Sequence, residues 1–196
     1  MIYRPAAFAE DDRTALEAFI CAYPFATVIT TAGDEPWVSH VPLRLEGDKL
    51  LGHLARGNGH AKVIEQAPAL AIFHGPHAYV SPRWYDSAPA VPTWNYAVVH
   101  ASGPARLLEA DELSGLMERL SADYEKDDWS YAGLTDDYRA KMQLGILGFE
   151  IAIASLTGKF KLSQNKSEAD QAGIAAALGK GSPEDSAVAA LMTAKR

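Results

Sequence analysis

The sequence predicts a mainly β chain with peripheral helices, folded as a small antiparallel barrel. Three observations predict it. About six short runs rich in β-branched and aromatic residues are separated by Gly, Pro and Asp turns. No βαβ unit recurs. Helical patterns sit outside these runs, near the start, in the later middle and at the C-terminal end. With 196 residues, 48% hydrophobic and 22% charged, the chain has enough apolar material for one real core. A single domain over 1–196 is expected, with a helical tail at about 168–196.

Asp11 or Asp12 caps a helix running to about Tyr23, with Leu16, Phe19, Ile20 and Tyr23 spaced as one buried stripe. Phe25 to Thr31 and Trp37 to Leu43 read as a hairpin around Gly33-Asp34-Glu35-Pro36. A further turn at Glu46-Gly47-Asp48 leads into Lys49 to Ala55, giving a three-strand meander. Ala61 to Gln66 reads as a short helix stopped by Pro68, Ala69 to Phe73 as a compact strand, and Val98 to Leu108 as another. Leu113, Leu116, Met117, Leu120 and Tyr124 share a helical face. Asp136 to Leu144 predicts a second helix, and Gly148 to Leu156 a strand returning to the sheet. The tail holds helices near Glu168 to Leu178 and Pro183 to Ala194, with Pro183 at a favoured first-turn position.

Several function classes are disfavoured. The chain opens without a signal-peptide pattern, its most apolar stretch, Ile146 to Leu156, contains Glu150, and Cys21 is the lone cysteine. A cytoplasmic protein with no membrane span, disulfide or metal site is therefore expected. A formal net charge of −7 disfavours nucleic acid, whose phosphates are met by basic patches.

Four segments are richer in special residues than a barrel requires. Gly52-His53-Leu54-Ala55-Arg56-Gly57-Asn58-Gly59-His60 offers a glycine-rich turn, a guanidinium and backbone N–H groups to an anion. Phe73 to Tyr85, broken by Gly75, Pro76 and Pro82, holds His74, His77, Tyr79, Ser81 and Trp84 and reads as an irregular aromatic loop able to line a slot for a flat ring. Val91-Pro92-Thr93-Trp94-Asn95-Tyr96 presents an indole, an amide and a phenol in succession. Lys159-Phe160-Lys161-Leu162-Ser163-Gln164-Asn165-Lys166 is a basic, amide-rich segment after the last expected strand. Taken singly, each also reads as an ordinary turn, packing loop or solvated basic stretch.

In this order, Gly-His-Leu-Ala-Arg, Gly-Pro-His-Ala-Tyr-Val-Ser-Pro, Val-Pro-Thr-Trp-Asn-Tyr and Lys-Leu-Ser-Gln-Asn resemble the PaiB-type FMN-binding proteins, a family often labelled negative transcriptional regulators. The likeness implies an antiparallel split β-barrel, typically a homodimer, with FMN in a groove to which both subunits contribute. It makes Arg56, Asn58 and their turn candidates for the phosphate, and Lys161 a second anion-binding candidate. Trp94, Asn95, Ser163, Gln164 and Asn165 would approach the ring or ribityl chain, and His53, His77, Tyr79, Ser81 and Tyr96 complete the cofactor-binding set. The chain departs from the family pattern at Asn58-Gly59-His60-Ala61, where Asn-Pro is common, at Lys166, where Arg is common, and at Ser102, which replaces an aromatic residue.

The implied function is flavin binding, extending to a flavin-dependent oxidoreductase with a nicotinamide donor. His77, Tyr79 and His100 are candidates for delivering protons near a flavin, a satisfied structural role being at least an equal alternative for each, and no catalytic residue is assigned. A flavin-responsive regulator is the second reading, resting on Lys159, Lys161 and Lys166 as a local basic surface. Haem binding is the third, weakened because Gly75-Pro76 between His74 and His77 prevents a helical ligand pair.

Overall fold

Helix α1 (Arg13–Ala22) starts where Asp12 accepts a hydrogen bond from the Ala15 N–H at 3.2 Å, satisfying an otherwise orphaned first-turn donor. Leu16, Phe19 and Ile20 form its buried stripe. The structure, a computed structural model, describes residues 2–126 and 129–194. Its strands lie in two antiparallel sheets, and the chain divides into two compact units. One comprises Met1–Phe19, His74–Val99 and Thr157–Arg196; the other comprises Ile20–Phe73 and His100–Leu156.

In the second unit, β2 (Phe25–Ala32) and β3 (Glu35–Pro42) form the expected hairpin. Gly33 sits at its turn with φ of 63°, a conformation that side-chain-bearing residues adopt only at a cost. The meander is not formed. Pro42 has no N–H to extend a ladder, and the Leu43 N–H donates to the Pro24 carbonyl at 2.9 Å. The chain instead makes a second hairpin, β4 (Arg44–Glu46) with β5 (Lys49–Ala55). These strands join β9 (Ile146–Ala152) and β8 (Ala105–Leu107) in the order β4-β5-β9-β8. Helix α2 (Ala110–Tyr124) packs Leu116 and Leu120 with Leu51 of β5. Helix α3 (Asp136–Gln143) is capped by Thr135. The helix expected from Ala61 shortens to a 3-10 turn, Gly59–Lys62, because Asn58 caps the chain earlier.

The expected loop from Phe73 is largely strand. β6 (Ala69–Val80) runs through Gly75-Pro76, and its buried parity inverts there: Ala69, Ala71 and Phe73 are buried before it, Pro76, Ala78 and Val80 after it. Each half therefore has its own inward face. Within the second unit β6 continues the order β6-β2-β3.

In the first unit the order is β1-β10-β7-β6, with β1 (Ala9–Glu10), β10 (Ser155–Lys161) and β7 (Thr93–Gly103), which starts earlier than Val98. β10 is an additional strand: the lysine segment expected after the last strand is partly within it. Helices α4 (Glu168–Leu178) and α5 (Pro183–Ala194) match the expected tail, burying Ile174, Leu178, Val188 and Met192. Among the described residues no helix is long and apolar enough to cross a membrane.

Candidate functional site

Period-two alternation divides the first unit's sheet into a packed face and an open one. On β7, Asn95, Ala97 and Val99 are buried, while Trp94, Tyr96 and Val98 face the other way. On β6, Ala78 and Val80 are buried between exposed His77 and Tyr79. The Trp94 ring lies 6.0 Å from His77 and 6.0 Å, edge-on, from Tyr79, and is still 53% exposed. A groove of about 340 Å³ runs along His77, Trp94, Tyr96 and Val98. At its His77 side, Nδ1 lies 2.9 Å from Glu184 Oε1 of α5.

The same alternation on β10 sends Gly158 and Phe160 inward, Gly158 close against Leu16 and the Phe160 ring 5.1 Å from Phe19. Lys159 and Lys161 occupy the opposite face. Lys161 Nζ donates to Thr93 Oγ1 at 2.6 Å and to the Trp94 carbonyl at 2.5 Å. Burial, with Lys159 and Lys166 nearby, lowers its pKa below the usual 10.5.

Several predicted residues are engaged within the protein. Asn95 is wholly buried and donates through Nδ2 to Ser163 Oγ at 2.9 Å, while the Ser163 hydroxyl donates back to Asn95 Oδ1 at 3.1 Å. Ser163 is held at φ 64°, a left-handed conformation that such a reciprocal clasp sustains. Gln164 Oε1 accepts from the Leu162 N–H at 2.7 Å, and its Nε2 donates to the Phe160 carbonyl at 2.5 Å. These amides shape the turn after β10, and Asn165 is exposed. Ser81 is buried, capping the Pro82–Trp84 turn through the Arg83 N–H at 3.3 Å. The next residues are held by Asp170, which accepts from the Asp86 and Ser87 N–H groups at 2.8 and 2.9 Å. Hydrogen bonds from Ser87, backbone first, keep this carboxyl below its ordinary range.

The second unit holds His53, Arg56 and Asn58 of the predicted site residues. Arg56 is exposed, but its guanidinium donates to the Leu144 and Ile146 carbonyls at 2.7 and 3.2 Å. Asn58 accepts from the His60 N–H and donates to Ser39 Oγ, both at 3.0 Å. Ser39 Oγ also lies 2.9 Å from His60 Nδ1, the imidazole tautomer deciding which of the two donates, and the other ring nitrogen of His60 is Nε2. That buried Nε2 has no partner among the described residues, nor does buried Nδ1 of His53. Desolvation lowers the pKa of both histidines. His53 borders a cavity of about 280 Å³ with Met117, Leu120, Tyr124 and Trp129.

The structure thus brings together His77, Tyr79, Trp94, Tyr96 and Lys161 in one unit, while His53, Arg56 and Asn58 belong to the other. Sequence reasoning left Lys159 out of the cofactor set. The alternation of Gly158-Lys159-Phe160-Lys161 was the available signal, since it puts both lysines on one strand face.

A family model described as "Putative FMN-binding domain" matches residues 2–155. The chain belongs to this FMN-binding family. It is 34% identical over 177 residues to "Protease synthase and sporulation protein PAI 2" of Bacillus subtilis, covering 86% of this chain and 85% of that one, so its sequence likeness to PaiB is established. The fold is that of flavin-binding split barrels. The FAD and heme binding protein of Mycobacterium smegmatis superposes with a TM-score of 0.64 at 17% identity, over 84% of this chain and 78% of the other. The flavocytochrome Anf3 of Azotobacter vinelandii also gives 0.64, at 19% identity over 87% and 78%. FMN, the family's cofactor, fits the open face chemically: aromatic rings and an apolar groove suit a flat heterocycle, and the lysines suit an anion.

Proposed function

We propose that this member of the FMN-binding family holds the flavin ring against the open sheet face of the first unit and acts as an FMN-dependent oxidoreductase, working as a homodimer. The groove along His77, Trp94, Tyr96 and Val98 carries this reading. Trp94 and Tyr96 offer ring surface within a largely apolar groove. Bound FMN would supply hydride or electron transfer, while the protein supplies position and electrostatics. His77, beside Glu184, is the candidate for holding a proton at Nδ1. The exposed Trp94 and Tyr79 support burial against a second copy of the chain, since rings of this kind are enriched at the centre of interfaces.

Purified protein is expected to show flavin absorbance, alone or after FMN addition, and to run as a dimer in light scattering. Anaerobic NADPH is expected to bleach that absorbance. A protein that stays colourless with excess FMN overturns the flavin reading; one that binds FMN but is reduced by neither NADPH nor NADH overturns the nicotinamide donor.

A further inference from the structure

The three lysines around the end of β10 differ from the cations of this molecule that pair with carboxylates. Arg4, Arg44, Arg106, Arg119 and Lys49 all pair with carboxylates. Among the described residues, Lys159, Lys161 and Lys166 make no ion pair, although the chain is acidic overall. Their ammonium groups are instead backed by rings. Lys159 Nζ lies 5.1 Å from the Tyr3 ring centre and 5.4 Å from Tyr96, Lys161 lies 5.9 Å from Phe8, and Lys166 lies 5.4 Å from Tyr85. Lys159 is only 7% exposed. Ala9 stands opposite it across the β1–β10 ladder, whereas Glu10 stands opposite Gly158 and belongs to the other face.

Burying an ammonium without a counter-charge is expensive, and cation–π contacts offset only part of that cost. Each ammonium has three N–H donors. Lys161 uses two on Thr93 and Trp94 and keeps one; among the described residues the ammonium groups of the other two lysines donate no hydrogen bond within the protein.

We propose that Lys159, Lys161 and Lys166 form a subsite for a phosphate dianion, with the ring-backed, largely buried Lys159 as its centre. The bound group is a phosphate monoester, supplied by the flavin itself or by a second phosphorylated ligand. Only the first source rests on the flavin reading above.

Calorimetric titration of the full chain with inorganic phosphate, FMN and riboflavin tests the subsite, comparing wild type with Lys159→Met, which keeps an apolar stem for packing, and Lys166→Gln at an exposed position. Far-UV circular dichroism confirms folding. Each substitution is expected to weaken phosphate binding about tenfold or more, the scale of one charge-assisted hydrogen bond. If FMN weakens in parallel while riboflavin is unchanged, the flavin supplies the phosphate. If only inorganic phosphate weakens, a second ligand does, and the subsite still stands. Phosphate binding that is absent from wild type, or unchanged in both folded variants, overturns the subsite whatever the flavin does. Phosphate binding without any flavin binding overturns the flavin reading alone.

Discussion

The turn at Arg56 and the strand end at Lys161 look alike in sequence, each setting cationic and amide side chains beside a change of direction, yet they are opposites in structure. At the first, the guanidinium, the Asn58 amide and Ser39 are engaged by backbone or by one another. At the second, the amides turn inward and the charges are left without anions, over aromatic rings. A polar group already engaged within the chain stabilises its loop; an unmatched one keeps its capacity for a ligand. On the placement proposed above, the Arg56 turn serves architecture and the β10 end serves binding.

Asn95→Ala tests this most severely. It removes both hydrogen bonds to Ser163 and leaves a buried hydroxyl and a small void, so stability should fall by about 2–3 kcal/mol. The lysine turn should loosen with it. Denaturant unfolding measures the first effect and amide exchange of residues 161–166 the second; unchanged protection there would separate the clasp from the lysines.

Arg56→Ala comes next. Losing two hydrogen bonds to the α3–β9 turn should cost about 1–2 kcal/mol in chemical denaturation. A variant as stable as wild type would show that these bonds contribute nothing, and would return the guanidinium to the list of ligand groups.

The smallest effect is one of pH. Burial lowers the pKa of His53 and His60 below the usual 6.5, so below that value the unfolded chain binds protons that the folded chain refuses. The stability contribution is full above about pH 6.5 and declines as pH falls toward the folded-state values. His60→Gln should flatten part of this decline in melts between pH 7.5 and 5. Identical slopes in both proteins would place the acid sensitivity elsewhere.

Much of the fold was legible because local signals agreed with it. The 3.6 period of α2, the Pro183 start of α5 and the glycine turns of both hairpins are properties of short windows. What was hidden depended on tertiary partners. Nothing local to Gly75-Pro76 says that the strand continues by exchanging its buried face. Nor does Pro42 announce that the next hairpin enters another sheet. At the site, Trp94, Tyr96, His77 and Lys161 were readable as residue types in a family order. That Asn95, Ser163 and Asn58 serve their own turns was not readable, because their partners lie up to 68 positions away.

The most direct test of where the flavin sits is a fluorescence titration of FMN against Trp94→Ala and Arg56→Ala side by side. Placement on the open face of the first unit predicts at least tenfold weaker binding for Trp94→Ala, about the cost of losing a large aromatic contact. It predicts a change within about threefold for Arg56→Ala, since that guanidinium holds backbone carbonyls. Near-normal binding by Trp94→Ala together with severe loss in a folded Arg56→Ala would contradict the account.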